Sequence, residues 1–128
     1  MSAPVLIPDH LTVYRGLSNS NWCKRGVIQY RAFMLRPATD KYPIERELSL
    51  GLTTRAAVDE LKENHGTAAL LVGRIHTLPY GLRTVPNSEN GAKADLHGLP
   101  LFSTDPVQRD LAVAMATDLA GISYFAPV

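Results

Sequence analysis

Three short stretches of the sequence hold side chains that could do chemistry. The first is Tyr14-Arg15-Gly16, at the end of an apolar run. Arginine offers a planar fork of N–H donors that suits a bidentate contact with phosphate or carboxylate. Glycine lets the backbone turn sharply or come close to a ligand. We therefore expect Tyr14, Arg15 and Gly16 to bind an anion, the alternative being a surface arginine on an edge strand.

The second stretch supplies a hydroxyl group. Ser49 lies in Glu-Leu-Ser-Leu-Gly, just before a predicted helix. Its hydroxyl could support a ligand or orient an acid, and free N–H groups at a helix N-terminus attract anions. The alternative is that Thr53 and Thr54 simply cap the helix.

The third stretch pairs a carboxylate with an imidazole. Asp95 and His97 are two residues apart, so on a strand both side chains point to the same side. At that spacing they could pair and share acid–base work, which makes them the candidate catalytic residues. The alternative is that they form the polar outer face of an edge strand.

Several common signatures of nucleotide, metal and hydrolase chemistry are missing from the sequence. It contains no G-x-x-x-x-G-K-[ST], no G-x-G-x-x-G and no H-E-x-x-H, and it has no G-x-S-x-G elbow. The four histidines follow no compact metal-binding spacing, and the single cysteine, Cys23, excludes an intrachain disulfide and a thiolate cluster. We expect no metal site.

The composition is that of a globular chain close to neutrality. The 128 residues are 45% hydrophobic and 20% charged, with a net charge of +1. The length favours one domain over 1–128. Near-neutral charge gives no global attraction to nucleic acid or anionic membranes, so nucleic acid is a disfavoured partner. The lone cysteine fits a reducing cytosol. The sequence also shows neither a signal peptide nor a stretch of ~20 apolar residues. We expect a cytoplasmic protein.

The elements that must position these side chains form an α+β pattern. Six segments are predicted as strands from their alternation or apolar content: 11–15, 26–36, 47–50, 68–75, 80–85 and 92–96. Two helices are predicted at about 54–65 and 106–120 from apolar periodicity and their end signals. Thr53 or Thr54 and Asp105 are the predicted N-caps, and Gly66 and Gly121 the predicted stops. We expect a mixed or mostly antiparallel sheet of about six short strands with both helices packed on it.

Taken in chain order, some of these segments resemble a known group of enzymes. Val-Tyr-Arg-Gly on a first strand, Glu-Leu-Ser-Leu-Gly on a later one and Thr-Thr-Arg-Ala-Ala opening a helix resemble the N-terminal half of ADP-ribosyltransferase-like domains. The RES-type NAD-consuming toxins are a related comparison of similar size. In that group a strand arginine binds the phosphate region of NAD, and a serine segment braces the nicotinamide pocket. The resemblance covers 11–75 and gives these roles to Arg15 and Ser49.

The sequence departs from that group at the catalytic acid. The group usually supplies a late glutamate near a strand end, whereas here the late acids are Glu89, in a predicted turn, and Asp95, which is one methylene shorter. A displacement of about 1 Å can cost ~10²-fold in rate. The resemblance implies an NAD glycohydrolase or ADP-ribosyltransferase, such as a toxin, with NAD as substrate and no bound cofactor. Other stretches, such as His-Gly-Leu-Pro, resemble small bacterial proteins and supply no activity.

A second class of function stays open from the sequence. The missing catalytic signatures favour a non-catalytic interaction module that binds a protein or a small anionic ligand. Tyr124 and Phe125 lie near the chain end, and aromatic side chains exposed there often mark a partner surface. Such a module could be a homo-oligomer. The alternative is that both rings pack into their own core.

Overall fold

A six-stranded antiparallel sheet and a small hairpin form the framework of the computed structural model, which describes residues 5–128. The strands of this part of the chain are β1 Thr12–Gly16, β2 Cys23–Lys24, β3 Val27–Ile28, β4 Leu48–Gly51, β5 Thr67–Leu71, β6 Arg83–Pro86, β7 Lys93–His97 and β8 Tyr124–Ala126. The main sheet has the order β6-β7-β4-β1-β5-β8, and β2 pairs with β3. The α+β class and the antiparallel sheet are as predicted.

Three α-helices and two short 3-10 turns accompany the sheet in the described residues. The helices are α1 Thr54–Val58, α2 Val72–Thr77 and α3 Pro106–Ile122, and the 3-10 turns are Ser20–Trp22 and Tyr30–Phe33. Two predicted N-caps are confirmed, since Thr53 Oγ1 accepts from Ala56 N at 3.1 Å and Asp105 Oδ1 accepts from Val107 N at 3.3 Å. Of the helices in residues 5–128, none combines the length and apolarity that crossing a membrane requires.

The sheet divides its residues between two faces. Alternate positions of β1, β4 and β7, such as Val13, Leu50 and Leu96, are almost fully buried in one apolar core. That core also takes side chains from the 3-10 turn at Tyr30–Phe33 and from α3, which pack on each other. On the other face α1 packs against β1 and β4. The central strands therefore have the core on one face and α1 on part of the other.

Close approach of α1 to the sheet depends on two glycines. A Cβ on Gly16 would overlap the carbonyl oxygen of Ala57 and lie 2.9 Å from Leu61 Cδ1. A Cβ on Gly51 would overlap the backbone of the same residue, Ala57. Both strands consequently present bare backbone to the helix, which sets one wall of the space beside Arg15.

The helix predicted over 54–65 is wrong beyond Val58. Main-chain groups of the next residues bond to the loop after β1 instead: His65 N donates to Leu17 O, and Leu17 N donates to Gly66 O, both at 2.9 Å. Gly66 has a φ of +97°, the left-handed region that glycine favours, but the helix has already ended at Val58, so the prediction that Gly66 ends it is wrong. Pairing with a distant segment takes the place of the end of the predicted helix.

The strands predicted over 26–36 and 68–75 are also partly wrong. In the first segment only Val27–Ile28 is a strand, because the chain then forms a 3-10 turn that buries Phe33 in the core. In the second, β5 ends at Leu71 and α2 begins at once, although Val72 N still donates to Leu11 O at 2.9 Å in register with β1. Gly121 lies inside α3 rather than ending it. The C-terminal strand β8 was not predicted.

Replacing Gly16 by Ala is expected to destabilise the fold by about 1–3 kcal/mol, the usual cost of overpacking a tight contact. The added Cβ would collide with backbone of α1, which cannot rotate away as a side chain can. Urea unfolding measures the change. Gly91→Ala is the matched control, because a Cβ there meets nothing within 4 Å. Equal stability of the two variants would contradict the proposed packing of α1.

Candidate anion-binding cleft

A cleft of about 740 Å³ opens beside the C-terminal end of β1. β1 contributes Arg15 and Gly16, β4 contributes Ser49, and β7 contributes Lys93. The remaining lining residues come from the loop before β4 and from α1 and the turn after it: Arg36, Thr39, Asp40, Lys41, Tyr42, Glu45, Ala57, Glu60 and Leu61. We call this space the main cleft. Its size lies within the range of small-molecule sites.

Main-chain carbonyl groups hold the Arg15 side chain at the cleft. Nε donates to Ala32 O at 2.9 Å, and Nη1 donates to Ser49 O at 3.2 Å. The guanidinium also lies over the Trp22 ring, 5.6 Å from its centroid, a distance at which a cation–π attraction operates. These contacts use Nε and Nη1 and leave the Nη2 group outside them. Arg15 therefore presents a fixed cationic edge rather than a mobile one.

The charge of Arg15 is only partly compensated. Burial lowers the pKa of its guanidinium, and the negative charge of Glu45 opposes that change. The salt bridges found in residues 5–128 involve lysine and histidine but no arginine. A half-buried cation that lacks a paired carboxylate gains from an added anion. This is the electrostatic feature that makes the main cleft a candidate site.

Among the residues predicted to bind a ligand, Arg15, Gly16 and Ser49 line the main cleft. Ser49 is exposed, and its own carbonyl accepts from Arg15. Tyr14 pairs with Gly51 in the sheet and lies outside the lining. The arginine and the serine of the predicted anion site therefore line the same cleft, and the bond between them is from the Arg15 guanidinium to the main-chain carbonyl of Ser49.

Asp95 and His97, the predicted acid–base pair, lie on β7 outside the cleft lining. Asp95 is directly opposite Ser49 in the sheet. Its carboxylate accepts from Asn87 Nδ2 at 3.2 and 3.4 Å, and His97 is paired with Arg83 of β6. Ser49 and Asp95 are thus neighbours, as a shared site requires, while the Asp95 carboxylate is already bonded. The catalytic role of Asp95 and His97 stays a prediction.

The sequence analysis missed the carboxylates that do line the main cleft. Glu45 Oε1 accepts from Arg36 N at 2.8 Å, and Glu45 N donates to Arg36 O at 3.1 Å. These two bonds close the loop between them, in which Tyr42 lies 5.1 Å from the Arg36 guanidinium. Glu60 reaches the cleft from the turn after α1. No local pattern marks either acid, because the loop closure that brings Glu45 to Arg15 is a tertiary feature.

Lys93 ties the sheet to the segment after α1. Its Nζ lies 3.0 Å from Asp59 Oδ1 and 3.4 Å from Glu60 Oε2, and only 11% of its side chain is exposed. Burial alone lowers the pKa of the ammonium, but hydrogen bonds and charges from Asp59 and Glu60 outweigh it and raise the pKa. Lys93 is therefore a cation at neutral pH, and two carboxylates already compensate its charge, in contrast to Arg15.

In residues 5–128, no three His, Cys, Asp or Glu side chains lie close enough together to hold a metal ion. The histidine nearest to such an arrangement is His76, whose Nδ1 lies 2.8 Å from Asp9 Oδ1 and whose Nε2 accepts from Thr84 N at 3.3 Å. Both ring nitrogens are thereby used in structural contacts.

Comparison with known proteins yields no match, whether with protein family models, curated proteins or solved structures. The function must therefore be argued from the geometry of the main cleft and its surroundings.

The raised pKa of Lys93 predicts a pH-dependent contribution to stability. A pKa that is higher in the folded state stabilises the fold at all pH values below the unfolded pKa of about 10.4, and the contribution is lost as pH rises through the folded pKa. Lys93→Met should cost about 1 kcal/mol or less at pH 7, as for other solvent-accessible ion pairs. The difference from the wild type should shrink above pH 10.

Urea unfolding at pH 7 and at pH 10 to 11 measures this difference. Lys62→Met is the control, since Lys62 is an exposed residue of the same turn and belongs to none of the salt bridges in the described part of the chain. A Lys93→Met deficit that stays constant across this pH range would show that lost packing, not lost charge, causes it.

Proposed function

We propose that the main cleft binds a phosphate-bearing nucleotide and that NAD is the substrate. The observation that carries the proposal is Arg15, a half-buried guanidinium fixed by two carbonyl groups and outside the salt bridges of the described residues. Phosphate oxygens are the natural partners of its Nη2 group, because charge-assisted hydrogen bonds are strong. The resemblance of 11–75 to ADP-ribosyltransferase-like domains supports NAD over other nucleotides.

The proposed reaction is cleavage of the bond between nicotinamide and ribose. That bond breaks with its electron pair going to the nicotinamide nitrogen, and positive charge develops on the ribose. Water supplies the oxygen that bonds to the ribose carbon and releases one proton, so NAD and water give ADP-ribose, nicotinamide and H⁺. A nearby carboxylate stabilises the developing charge. In a transferase, the nucleophile of an acceptor would take the place of water.

We assign the carboxylate role to Glu45. It lines the main cleft with Arg15 and Ser49, and its negative charge acts to raise the pKa of the Arg15 guanidinium against the effect of burial. Arg36 N holds one of its oxygens, which fixes the orientation of the group. The Ser49 hydroxyl, exposed at the same cleft, would orient the nicotinamide ring or the acid.

The test is incubation of the pure protein with NAD, with nicotinamide release and NAD affinity as readouts. Arg15→Met and Arg36→Met should each weaken NAD binding by about tenfold to hundredfold, the value of a hydrogen bond to a charged group. Arg36→Met is included because Arg15 also donates to two main-chain carbonyls, so Arg15→Met could lose binding through a loss of structure. Arg83→Met, an exposed arginine on β6, is the control and should bind NAD as the wild type does. Absence of both release and binding would refute the proposal.

Glu45→Gln should lower the rate of nicotinamide release by about 10²-fold or more at unchanged NAD affinity. Glutamine keeps an oxygen that can accept from Arg36 N, so the loop should remain closed. Asp95→Asn is measured beside it. A larger loss in Asp95→Asn than in Glu45→Gln would return the acid role to Asp95.

A second candidate function is an interaction module that pairs through β8. This strand is one of the two outer strands of the sheet, and its Tyr124 and Phe125 side chains are 58% and 38% exposed. An outer strand presents unpaired N–H and C=O groups to another strand, and an antiparallel pairing of β8 with its copy in a second chain would extend the sheet across a dimer.

Light scattering over a range of protein concentrations tests the second candidate. A dimer that becomes a monomer in Tyr124→Lys would support pairing through β8, because a charged residue on an outer strand opposes such pairing. Leu111→Lys is the control, being an exposed apolar residue of α3. A monomer at every concentration, or a dimer unaffected by Tyr124→Lys, would contradict it.

A further inference from the structure

A second pocket of about 550 Å³ adjoins the main cleft and differs from it in chemistry. Trp22, Met34, Leu35 and Phe102 supply its apolar surface. Leu35 is buried in the core, whereas Phe102 is 41% exposed, although it is a large apolar side chain. Such a ring is available for contact with a ligand without any rearrangement of the core. We call this space the arginine pocket.

Three arginines and one carboxylate line the arginine pocket: Arg15, Arg31, Arg36 and Glu45. The net charge of this set is +2. Arg31 and Arg36 are exposed, while Arg15 is half-buried and shared with the main cleft. A phosphate monoester carries a charge of about −1.5 to −2 at pH 7, so this lining is complementary to one such group.

Aromatic rings rather than carboxylates lie beside these guanidinium groups. Arg15 lies 5.6 Å from the Trp22 centroid and Arg31 lies 5.9 Å from that of Tyr30, whose hydroxyl accepts from Arg31 Nε at 3.4 Å. Arg15 keeps its Nη2 group, and Arg31 both of its Nη groups, outside the side-chain hydrogen bonds of the described residues. The arginine pocket thus combines the aromatic rings of Trp22 and Phe102 with the N–H donors of its arginines.

We propose that the arginine pocket is a subsite for a nucleoside 5′-phosphate, with the aromatic base against Trp22 and Phe102 and the phosphate on the arginines. This deepens the proposed function and rests on it: the main cleft, which holds Ser49 and Glu60, takes the ring that is cleaved, and the arginine pocket takes the nucleotide half that is not. Arg15, Arg36 and Glu45 belong to both spaces, so the phosphates of one ligand would lie where the two meet.

Base stacking and phosphate binding make separable contributions, and three small probes resolve them. AMP carries both groups, adenosine only the base and ribose, and ribose 5-phosphate only the sugar and phosphate. Calorimetry with the full chain should find AMP bound at least tenfold more tightly than either of the others, since stacking and charge each contribute about that factor. Failure of AMP to bind, or equal affinity for AMP and adenosine, would overturn the inference.

Phe102→Ala tests the base contact. It should weaken AMP binding by about tenfold or more and leave ribose 5-phosphate unaffected. Phe125→Ala is the matched control, because that ring is 38% exposed against 41% for Phe102 and lies on β8. Equal AMP affinity in the two variants would contradict the base contact. Melting temperatures of both variants establish that they are folded.

Arg31→Met tests the phosphate contact separately. It should lower the affinity for AMP and for ribose 5-phosphate by the same factor, about tenfold, and leave adenosine unchanged. If Arg31→Met binds ribose 5-phosphate as tightly as the wild type does, Arg31 does not contact the phosphate.

The outcome for NAD distinguishes this inference from the proposed function. If Phe102→Ala loses AMP affinity but the wild type does not cleave NAD, the arginine pocket stands and the proposed reaction fails. If the wild type cleaves NAD and Phe102→Ala leaves its KM unchanged, the reaction stands and the subsite fails.

Discussion

The bonds from Arg15 to the carbonyl groups of Ala32 and Ser49 are the interaction on which the candidate site depends. They join three segments that are distant in sequence: β1, the 3-10 turn at Tyr30–Phe33, and β4. A guanidinium removed from water must find acceptors, and here carbonyl groups of the framework supply them. Because the turn also places Phe33 in the core under α3, a single cation links the floor of the main cleft to the interior of the protein.

The walls of the main cleft follow from a different constraint, the bare backbone of β1 and β4 at Gly16 and Gly51. Without side chains there, α1 approaches the sheet closely enough for Ala57 to touch both strands. The following turn then presents Glu60 to the cleft, and Lys93 holds that turn by its ammonium group. The packing of α1 on one face of the sheet therefore sets the shape of the main cleft. The positive charge of the cleft comes from Arg15, whose side chain is bonded to the 3-10 turn on the other face.

Local signals in the sequence predicted much of the fold. The α+β class, the strand that carries Arg15 and both helix caps depend on neighbouring residues, and these predictions are confirmed. Two of the errors involve distant partners. The first predicted helix ends at Val58, and His65, its predicted last residue, bonds to Leu17 instead. The predicted strand over 26–36 ends early because the chain forms a 3-10 turn that buries Phe33 in the core.

The same distinction governs the candidate site. An arginine followed by a glycine at the end of a predicted strand was enough to make Arg15 and Gly16 candidates for anion binding. The identity of a single residue is sufficient to suggest such a contact. Glu45 could not be found in this way, since its position beside Arg15 depends on the closure of a loop by Arg36. Asp95 lies opposite Ser49 because of the register between β4 and β7. A single sequence does not show which strands pair or in which register.

The contact of Arg15 with Trp22 has a practical consequence for this protein. Trp22 is the sole tryptophan of the chain, and it lies in the arginine pocket with its ring against the guanidinium. The tryptophan fluorescence of the whole molecule therefore originates at one indole beside the candidate site. The protein carries its own optical reporter, and occupancy of that site can be followed in solution without any label.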